Sequence, residues 1–217
     1  MNLDDANDMF TDQDIQKYAS EVLFWVQGIG KSKRIQDIDV FVKGDKWEEN
    51  LKDVNRFLRN DEPKNPIIRR MLEDWNFMED CLLPLLISQN QDIKLSFYAI
   101  LLIAELTYPV DKEAKEYGKM VEVLQKYKKS FLAPNIVKTL ADHLASCCRG
   151  ENEISTDKNN QLIELIVVIF KNLLQVPKVN TIKDNAFSLL LLRRFRDEGV
   201  LDSFVFMTQK VDSEFSK

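Results

Sequence analysis

The chain has 217 residues, of which 45% are hydrophobic and 30% charged, and it contains only 6 glycines and 6 prolines. This composition excludes wholesale disorder and favours long helices with short connections, because few of its residues break a helix. The net charge of −5 at pH 7 argues against a protein whose main task is to coat nucleic acid, since such domains are usually basic.

The cysteines and the apolar segments limit the class of protein further. Cys81, Cys147 and Cys148 have neither the spacing of a disulfide framework nor a CxxC motif, so we interpret them as buried, reduced thiols of an intracellular protein. The acidic N-terminus lacks the basic and apolar regions of a signal peptide. The most apolar run, 162–174, is interrupted by charged residues and is too short to span a bilayer. We therefore expect a soluble protein with no membrane partner.

Helical periodicity begins near residue 12. Apolar residues at three- and four-residue steps predict a first helix over about 12–27. The segment Gly28-Ile-Gly-Lys-Ser32 follows it. A phosphate loop needs four residues between its glycines and a preceding strand, so we interpret Gly28 as a helix C-terminal residue. Residues 28–44 are predicted to form the longest irregular stretch, pinned to the core by four apolar residues, namely Ile35, Ile38, Val40 and Phe41.

Two helices are predicted between residues 45 and 75. Asp45 is expected to cap the first, which runs to about Asn60. Its apolar residues recur at helical steps and are expected to face the core: Leu51, Val54, Phe57 and Leu58. Asn65-Pro66 predicts the start of the second helix, with Asn65 as the N-cap and Pro66 at the first helical position.

The rest of the chain is also predicted to be helical, which brings the total to about nine or ten helices. Pro84 should kink its helix or displace its start, and Asp111 is expected to cap the helix that follows it. The β-branched run 166–169 would have no partner as an isolated strand, so we predict a buried helix there. One of these helices runs from the turn at 90–92 to 107. The others cover about 76–89, 111–127, 134–148, 162–176, 181–196 and 199–210.

Helices of this length, alternately more and less buried and without a strict sequence period, suit one fold class. They predict an all-α, irregular α-solenoid of the armadillo or HEAT kind. In such a stack each pair of helices buries its apolar face on its neighbours and leaves a ridge or groove for partners. We predict a single helical-repeat domain over residues 1–217.

No group of residues in the sequence predicts catalysis. The single histidine, His143, lies on an apolar helix face, where we interpret it as a satisfied core or boundary residue. No serine or cysteine stands in a nucleophile motif, and the carboxylates are spread over faces where charge serves solubility. We therefore predict that the chain is not an enzyme and has no catalytic, metal, cofactor-binding or small-molecule site.

Basic residues provide the candidate partner-binding site. Lys52, Arg56 and Arg59 fall together on one face of their predicted helix, and Arg69 and Arg70 on the next helix point toward the surface. One interpretation is a contact surface for an acidic protein or a nucleic-acid backbone. The other is a set of salt bridges to an adjacent helix or to acidic neighbours: Glu49, Asp53, Glu62 and Glu73.

Several segments between residues 50 and 180 also form a recognisable series. The clearest are Asp53-Val-Asn-Arg-Phe-Leu-Arg-Asn-Asp-Glu62 and Glu79-Asp-Cys-Leu-Leu-Pro-Leu-Leu86. The others are 69–72, 91–95, 101–109, 124–131 and 163–177. In order and spacing this series resembles the N-terminal region of the Timeless family, from which it departs at Pro63, Glu105 and Tyr108.

The resemblance implies an armadillo-like helical scaffold. Timeless-like proteins form a fork-protection complex with a Tipin-like partner, travel with the replicative helicase, and support the replication checkpoint and sister-chromatid cohesion. By this resemblance we expect a non-catalytic nuclear scaffold whose partners are a Tipin-like protein and replisome components. Because family members are several times longer, we also expect an N-terminal fragment or a short relative. Two alternatives stay open: a circadian-clock scaffold that binds a Period-like partner, and a direct DNA-binding module through the basic surface at 52–70.

Overall fold

The computed structural model describes residues 12–35, 38–88, 92–151, 155–179 and 181–215. Over these residues it contains ten α-helices, one π-helical turn and one β-hairpin, which confirms the predicted all-α helical-repeat fold. The elements are, in chain order, α1 (Asp12–Ile29), β1 (Gly30–Ile35), β2 (Ile38–Lys43), α2 (Trp47–Arg59), α3 (Ile67–Asp74), the π-helical turn (Met78–Leu82), α4 (Leu83–Ser88), α5 (Ile93–Thr107), α6 (Tyr117–Ser130), α7 (Ile136–Arg149), α8 (Thr156–Gln175), α9 (Thr181–Asp197) and α10 (Val200–Phe215).

Helices α5 and α8 lie at the centre of the described core. Helix α5 contacts α2, α4 and α8, and α8 also contacts α6 and α7. Helix α5 is apolar on most sides, as expected of a buried helix. Helical spacing also predicts that Leu101 faces inward, but this residue is only half-buried. In α8 the β-branched run packs inward through Ile166 and Ile169, so the predicted helix is confirmed and no strand forms there.

The segment around Pro84 shows how the chain accommodates a proline among buried residues. The π-helical turn ends at Leu82, and α4 begins at Leu83, one residue before Pro84. Proline lacks an N–H group and its ring clashes with the carbonyl four residues earlier, so one regular α-helix cannot run through this position. The predicted displacement of the helix start is confirmed. Helical spacing in the sequence predicts that five residues here face inward, and all five are buried: Met78, Cys81, Leu82, Leu85 and Leu86.

The prediction that residues 28–44 are irregular is wrong. Within this stretch Gly30–Ile35 and Ile38–Lys43 are the paired antiparallel strands of the β-hairpin, which packs against the π-helical turn and α4. Of the apolar residues expected to pin this stretch to the core, Phe41 is buried, whereas Val40 is 37% exposed. The side chains of Ile35 and Ile38 lie outside the part of the chain that the structure describes.

Glycines determine the joint between α1 and the hairpin. Gly28 lies in the last turn of α1, as predicted. Gly30 has a positive φ of 142°, and a Cβ atom there would collide with the carbonyl oxygen of Val42. The Gly44 N–H donates to the carbonyl of Ile29 at 2.9 Å, and a Cβ atom on Gly44 would collide with the backbone of Gly28. The spacing of these glycines is therefore explained by a close joint between a helix and a hairpin.

Two of the predicted helix caps are wrong because the helices begin later. Lys46, rather than Asp45, precedes α2, and no side chain caps that helix. Asp111 accepts a hydrogen bond from the Glu113 N–H at 2.9 Å within a turn, and α6 begins only at Tyr117. An aspartate can satisfy a turn as readily as a helix start, and sequence alone does not separate the two.

His143 is buried on α7, as predicted, but one of its two ring nitrogens lacks a hydrogen-bond partner among the described residues. Its side chain is 7% exposed, and its Nε2 atom has no hydrogen-bond partner among the described residues. Burial lowers the pKa of this imidazole below its ordinary value of 6.5, and the neighbouring Asp142 carboxylate offsets only part of that shift. The folded chain therefore favours the neutral form of the histidine.

We expect the free energy of unfolding to fall as the pH drops below 6.5, because the unfolded chain binds a proton on His143 that the folded chain disfavours. The loss should level off below the lower pKa of the folded state. Urea unfolding of the wild type and of His143→Leu, from about pH 8 to about pH 5, measures this effect. No other histidine titrates in the chain. Parallel pH profiles for the two proteins would contradict the prediction.

Candidate partner-binding surface

Helix α2 presents apolar residues to the core and cations to solvent. Lys52, Arg56 and Arg59 lie on its exposed face, as predicted, and their side chains are 50%, 63% and 63% exposed. We call these three residues the α2 basic face. The two arginines occupy the last turn of the helix, where positive charge interacts favourably with the helix dipole. The opposite side of the helix is buried through Asn50, Leu51, Val54 and Leu58.

Lys52 is held in place by two neighbours. Its Nζ atom lies 2.6 Å from a carboxylate oxygen of Glu48 and 5.4 Å from the centre of the Tyr98 ring. The other oxygen of Glu48 binds Lys94 on α5 at 2.7 Å. Hydrogen bonds from Lys52, and then from Lys94, lower the pKa of Glu48, and the bond to Glu48 raises the pKa of Lys52. Both groups therefore stay charged near neutral pH.

The two arginines of the α2 basic face also have acidic neighbours. Arg56 pairs with Asp53 one turn earlier at 3.0 Å, and its guanidinium lies 5.9 Å from the centre of the Phe57 ring. Arg59 pairs with Glu105 on α5 at 3.3 Å. The salt-bridge interpretation is thus correct in kind, with one predicted partner, Asp53, confirmed. Ion pairs this exposed contribute only about 0–1 kcal/mol each, so they do not prevent the arginines from binding a partner.

Arg69 turns toward α5, so the prediction that it points to the surface is wrong. The side chain is half-buried. Its guanidinium donates to the backbone carbonyl of Glu105 at 2.7 Å and to that of Tyr108 at 3.0 Å. These carbonyls lie at the C-terminal end of α5, where a helix leaves acceptors without partners. Arg69 therefore caps α5 from a different helix.

The start of α3 and the side chain of Arg70 are also held by hydrogen bonds to neighbouring segments. Asn65 does not cap α3 as predicted, because the carboxylate of Asp61 accepts from the N–H groups of Ile68 at 3.1 Å and Arg69 at 2.9 Å. Burial raises the pKa of Asp61, although these bonds oppose the shift. Arg70 instead binds Asn65 at 3.2 Å and Glu116 at 2.9 Å, with its side chain 29% exposed.

An apolar cavity of about 230 Å³ lies between α1, the end of α2 and the start of α3. The polar chain that connects α2 to α3 forms part of its border. Its apolar or aromatic border consists of four residues: Tyr18, Phe57, Ile67 and Ile68. Phe57 is predicted to face the core, and helical spacing cannot show that part of its ring borders an open cavity. Its aromatic neighbour Tyr18 comes from α1, at a ring distance of 5.7 Å.

Three further features of the described residues concern metal ligands, cysteines and apolar helices. No group of three metal-ligating side chains occurs among those residues. The three cysteines are buried and form no disulfide among the described residues, and burial raises the pKa of Cys81 to about 12. None of the described helices has both the length and the apolar character to cross a membrane.

A stack of helices with these connections defines a helical-repeat protein. The family model for the Timeless protein matches residues 40–217. The chain therefore belongs to the Timeless family, as the segments between 50 and 180 indicate, and the match extends beyond them at both ends.

Curated relatives support this assignment. The mating-type switching protein swi1 of Schizosaccharomyces pombe is 24% identical over 205 residues, which cover 86% of this chain and 20% of the relative. The timeless homolog of Mus musculus is 29% identical over 139 residues, or 59% of this chain and 12% of the relative. The timeless homolog of Homo sapiens is 28% identical over 149 residues, which cover 64% of this chain and 12% of the relative. The chain spans a fifth or less of the length of these relatives.

Proposed function

We propose that the chain is a non-catalytic scaffold of the fork-protection type that acts in the nucleus. The match to the Timeless family over residues 40–217 carries this proposal, and the similarity to swi1 and to the two timeless homologs supports it. The proposed partners are a Tipin-like protein and components of the replicative helicase. The processes served would be fork stability, checkpoint signalling and sister-chromatid cohesion. Stacked helices suit this role because they offer extended surfaces to several partners.

The α2 basic face is the surface that we propose for partner contact. Arg56 and Arg59 are exposed, and a partner carboxylate can replace their intramolecular partners with little loss of free energy. The cavity beside Phe57 offers space for an apolar side chain of the same partner. Arg69 and Arg70 belong to this proposal as residues that hold α3 and its connections in position. Arginine and aromatic residues are enriched in protein interfaces.

We expect Arg56→Glu/Arg59→Glu to weaken binding to a Tipin-like protein or to helicase components of the same organism by about tenfold or more. The physical reason is that charge reversal sets like charges against each other across the interface. Pull-down with the purified chain, followed by titration calorimetry, measures the effect. The matched control is Arg149→Glu/Arg196→Glu, because those arginines are also exposed and each pairs with one nearby carboxylate. The control should bind as the wild type does.

Failure of the folded wild-type chain to recover any of these partners would contradict the fork-protection proposal. Recovery that the reversed arginines leave unchanged would contradict only the choice of surface. Direct contact with DNA is the second candidate, favoured by the exposure of Arg56 and Arg59. Binding of duplex DNA through this face should weaken steeply as salt rises and should be lost in the reversed variant, whereas salt-independent binding would exclude it.

A further inference from the structure

The β-hairpin carries positive charge on a partly apolar face. Residues 30–44 include four basic and two acidic side chains, in a chain of net charge −5. The strand register pairs Lys31 with Val42 and Lys33 with Val40, so these four residues share one face of the hairpin. All four are exposed, with Val42 at 36% and Val40 at 37%. This face of the hairpin therefore exposes ammonium groups next to apolar side chains.

Lys31 and Lys33 differ from the cations of the α2 basic face. Each cation there has a carboxylate within 3.3 Å. Lys31 and Lys33 have no ion pair or hydrogen bond from their side chains in the part of the chain that the structure describes. Lys43, at the end of β2, pairs with Asp92 at 3.3 Å and lies 5.5 Å from the centre of the Trp47 ring. Two lysines without an ion pair among the described residues can bind an anionic group without losing a partner there.

A groove of about 580 Å³ lies beside this face, and we call it the hairpin groove. Lys31, Lys33 and Lys43 are among the residues that line it. Its apolar lining comes from the hairpin, from α1 and from the chain near the π-helical turn, and includes Val26, Trp75 and Phe77. The groove thus has three lysines and one carboxylate, Asp80, around a mainly apolar interior, and its excess of cations suits an acidic ligand with an apolar anchor.

The backbone holds the hairpin groove in a defined shape. Gly30 and Gly44 both line it, and both make approaches to neighbouring backbone that no larger residue could make. The hydrogen bond from Gly44 to Ile29 fixes the second strand against the end of α1. Phe77, which is 1% exposed, forms a buried wall. A groove that is already ordered loses little conformational freedom when a ligand enters it.

We propose that the hairpin groove binds an acidic, extended segment of another protein, which inserts a bulky apolar side chain into the groove. Carboxylates of the segment would pair with Lys31 and Lys33, and the apolar side chain would cover Val42 and the interior. A nucleic-acid backbone would use the lysines but would leave the valines and the apolar lining without a partner. This surface is distinct from the α2 basic face, and the proposal does not depend on a role in replication.

Selection from displayed random peptides tests this proposal. Peptides of about 12 residues, which span about 40 Å when extended, are selected on the immobilised chain. Enriched peptides should combine several acidic residues with a Leu, Phe or Trp. Their affinity, measured by fluorescence anisotropy, should fall about tenfold or more on Lys31→Glu/Lys33→Glu, since the reversed charges repel the peptide. Serine in place of the apolar residue of the peptide should also weaken binding.

Lys138→Glu/Lys171→Glu is the matched control, because these lysines on α7 and α8 are also exposed and have no ion pair among the described residues. It should keep wild-type affinity, and both variants should keep the wild-type helical content and thermal midpoint. Failure to enrich peptides, enrichment of peptides without acidic residues, or equal binding to Lys31→Glu/Lys33→Glu would overturn the proposal. So would binding of a labelled oligonucleotide that these two substitutions abolish while no acidic peptide is enriched.

Discussion

Replacing Leu82 by alanine is expected to lower the free energy of unfolding by about 2–5 kcal/mol. Leu82 is fully buried at the end of the π-helical turn, which contacts β1, α4 and α5. Because these elements enclose the side chain from several sides, the site cannot close around a smaller residue. The variant therefore loses apolar burial and also retains a cavity. Urea unfolding followed by circular dichroism measures the change.

Two other leucines provide controls for the same substitution. Leu101 is half-buried on α5, so Leu101→Ala should be less destabilising than Leu82→Ala. Leu189 on α9 is 68% exposed, and Leu189→Ala should change stability by less than about 0.5 kcal/mol. The three losses should follow the order of burial. A loss near zero for Leu82, or equal losses at all three positions, would show that the core is assigned incorrectly.

The helices could be predicted because their signal is local. The apolar residues of 78–86 recur at helical steps, and all those predicted to face inward are buried. The apolar segment in α8 is longer than a typical strand, so its length correctly predicts a helix rather than a strand. Helix ends were less predictable: Asp45 and Asp111 look like caps in the sequence, but neither begins a helix.

The hairpin could not be predicted with the same ease because its stability comes from packing. A two-stranded hairpin alone is marginal in water, and this one packs against α4 and the π-helical turn. One signal was available in the sequence. The run Ile38–Lys43 contains three β-branched residues and one phenylalanine, residue types that favour a strand, although neither it nor Gly30–Ile35 alternates strictly between apolar and polar residues.

The candidate site could be predicted only in part, because some of its residues make contacts with distant parts of the chain. Helical spacing correctly places Lys52, Arg56 and Arg59 on one exposed face. The two remaining arginines depend on contacts with distant segments. Arg69 reaches carbonyls 36 and 39 residues further along the chain. No local pattern in a sequence reveals a contact of that range, so a basic residue that caps a distant helix looks the same as one that faces solvent.

Replacing Arg69 by alanine is expected to lower the free energy of unfolding by about 2–3 kcal/mol. The substitution removes two charge-assisted hydrogen bonds to the carbonyls of Glu105 and Tyr108, each of which contributes about 1.5–3 kcal/mol when fully formed and protected from water. Two such bonds would together contribute about 3–6 kcal/mol, and partial exposure to water reduces the expected loss to about 2–3 kcal/mol. Urea unfolding measures the loss. Hydrogen exchange should also show faster opening at the end of α5, because that end loses its cap.

Two variants separate the capping role of Arg69 from its charge. Arg69→Lys keeps the positive charge, but a single ammonium group lacks the planar fork that reaches two carbonyls, so it should recover less than half of the lost stability. Arg56→Ala removes an equally charged but exposed side chain and should have an effect of about 0–1 kcal/mol. If Arg69→Ala were no more destabilising than Arg56→Ala, the cap would contribute little to the fold. Arg69 would then be available to a partner, as the sequence alone indicates.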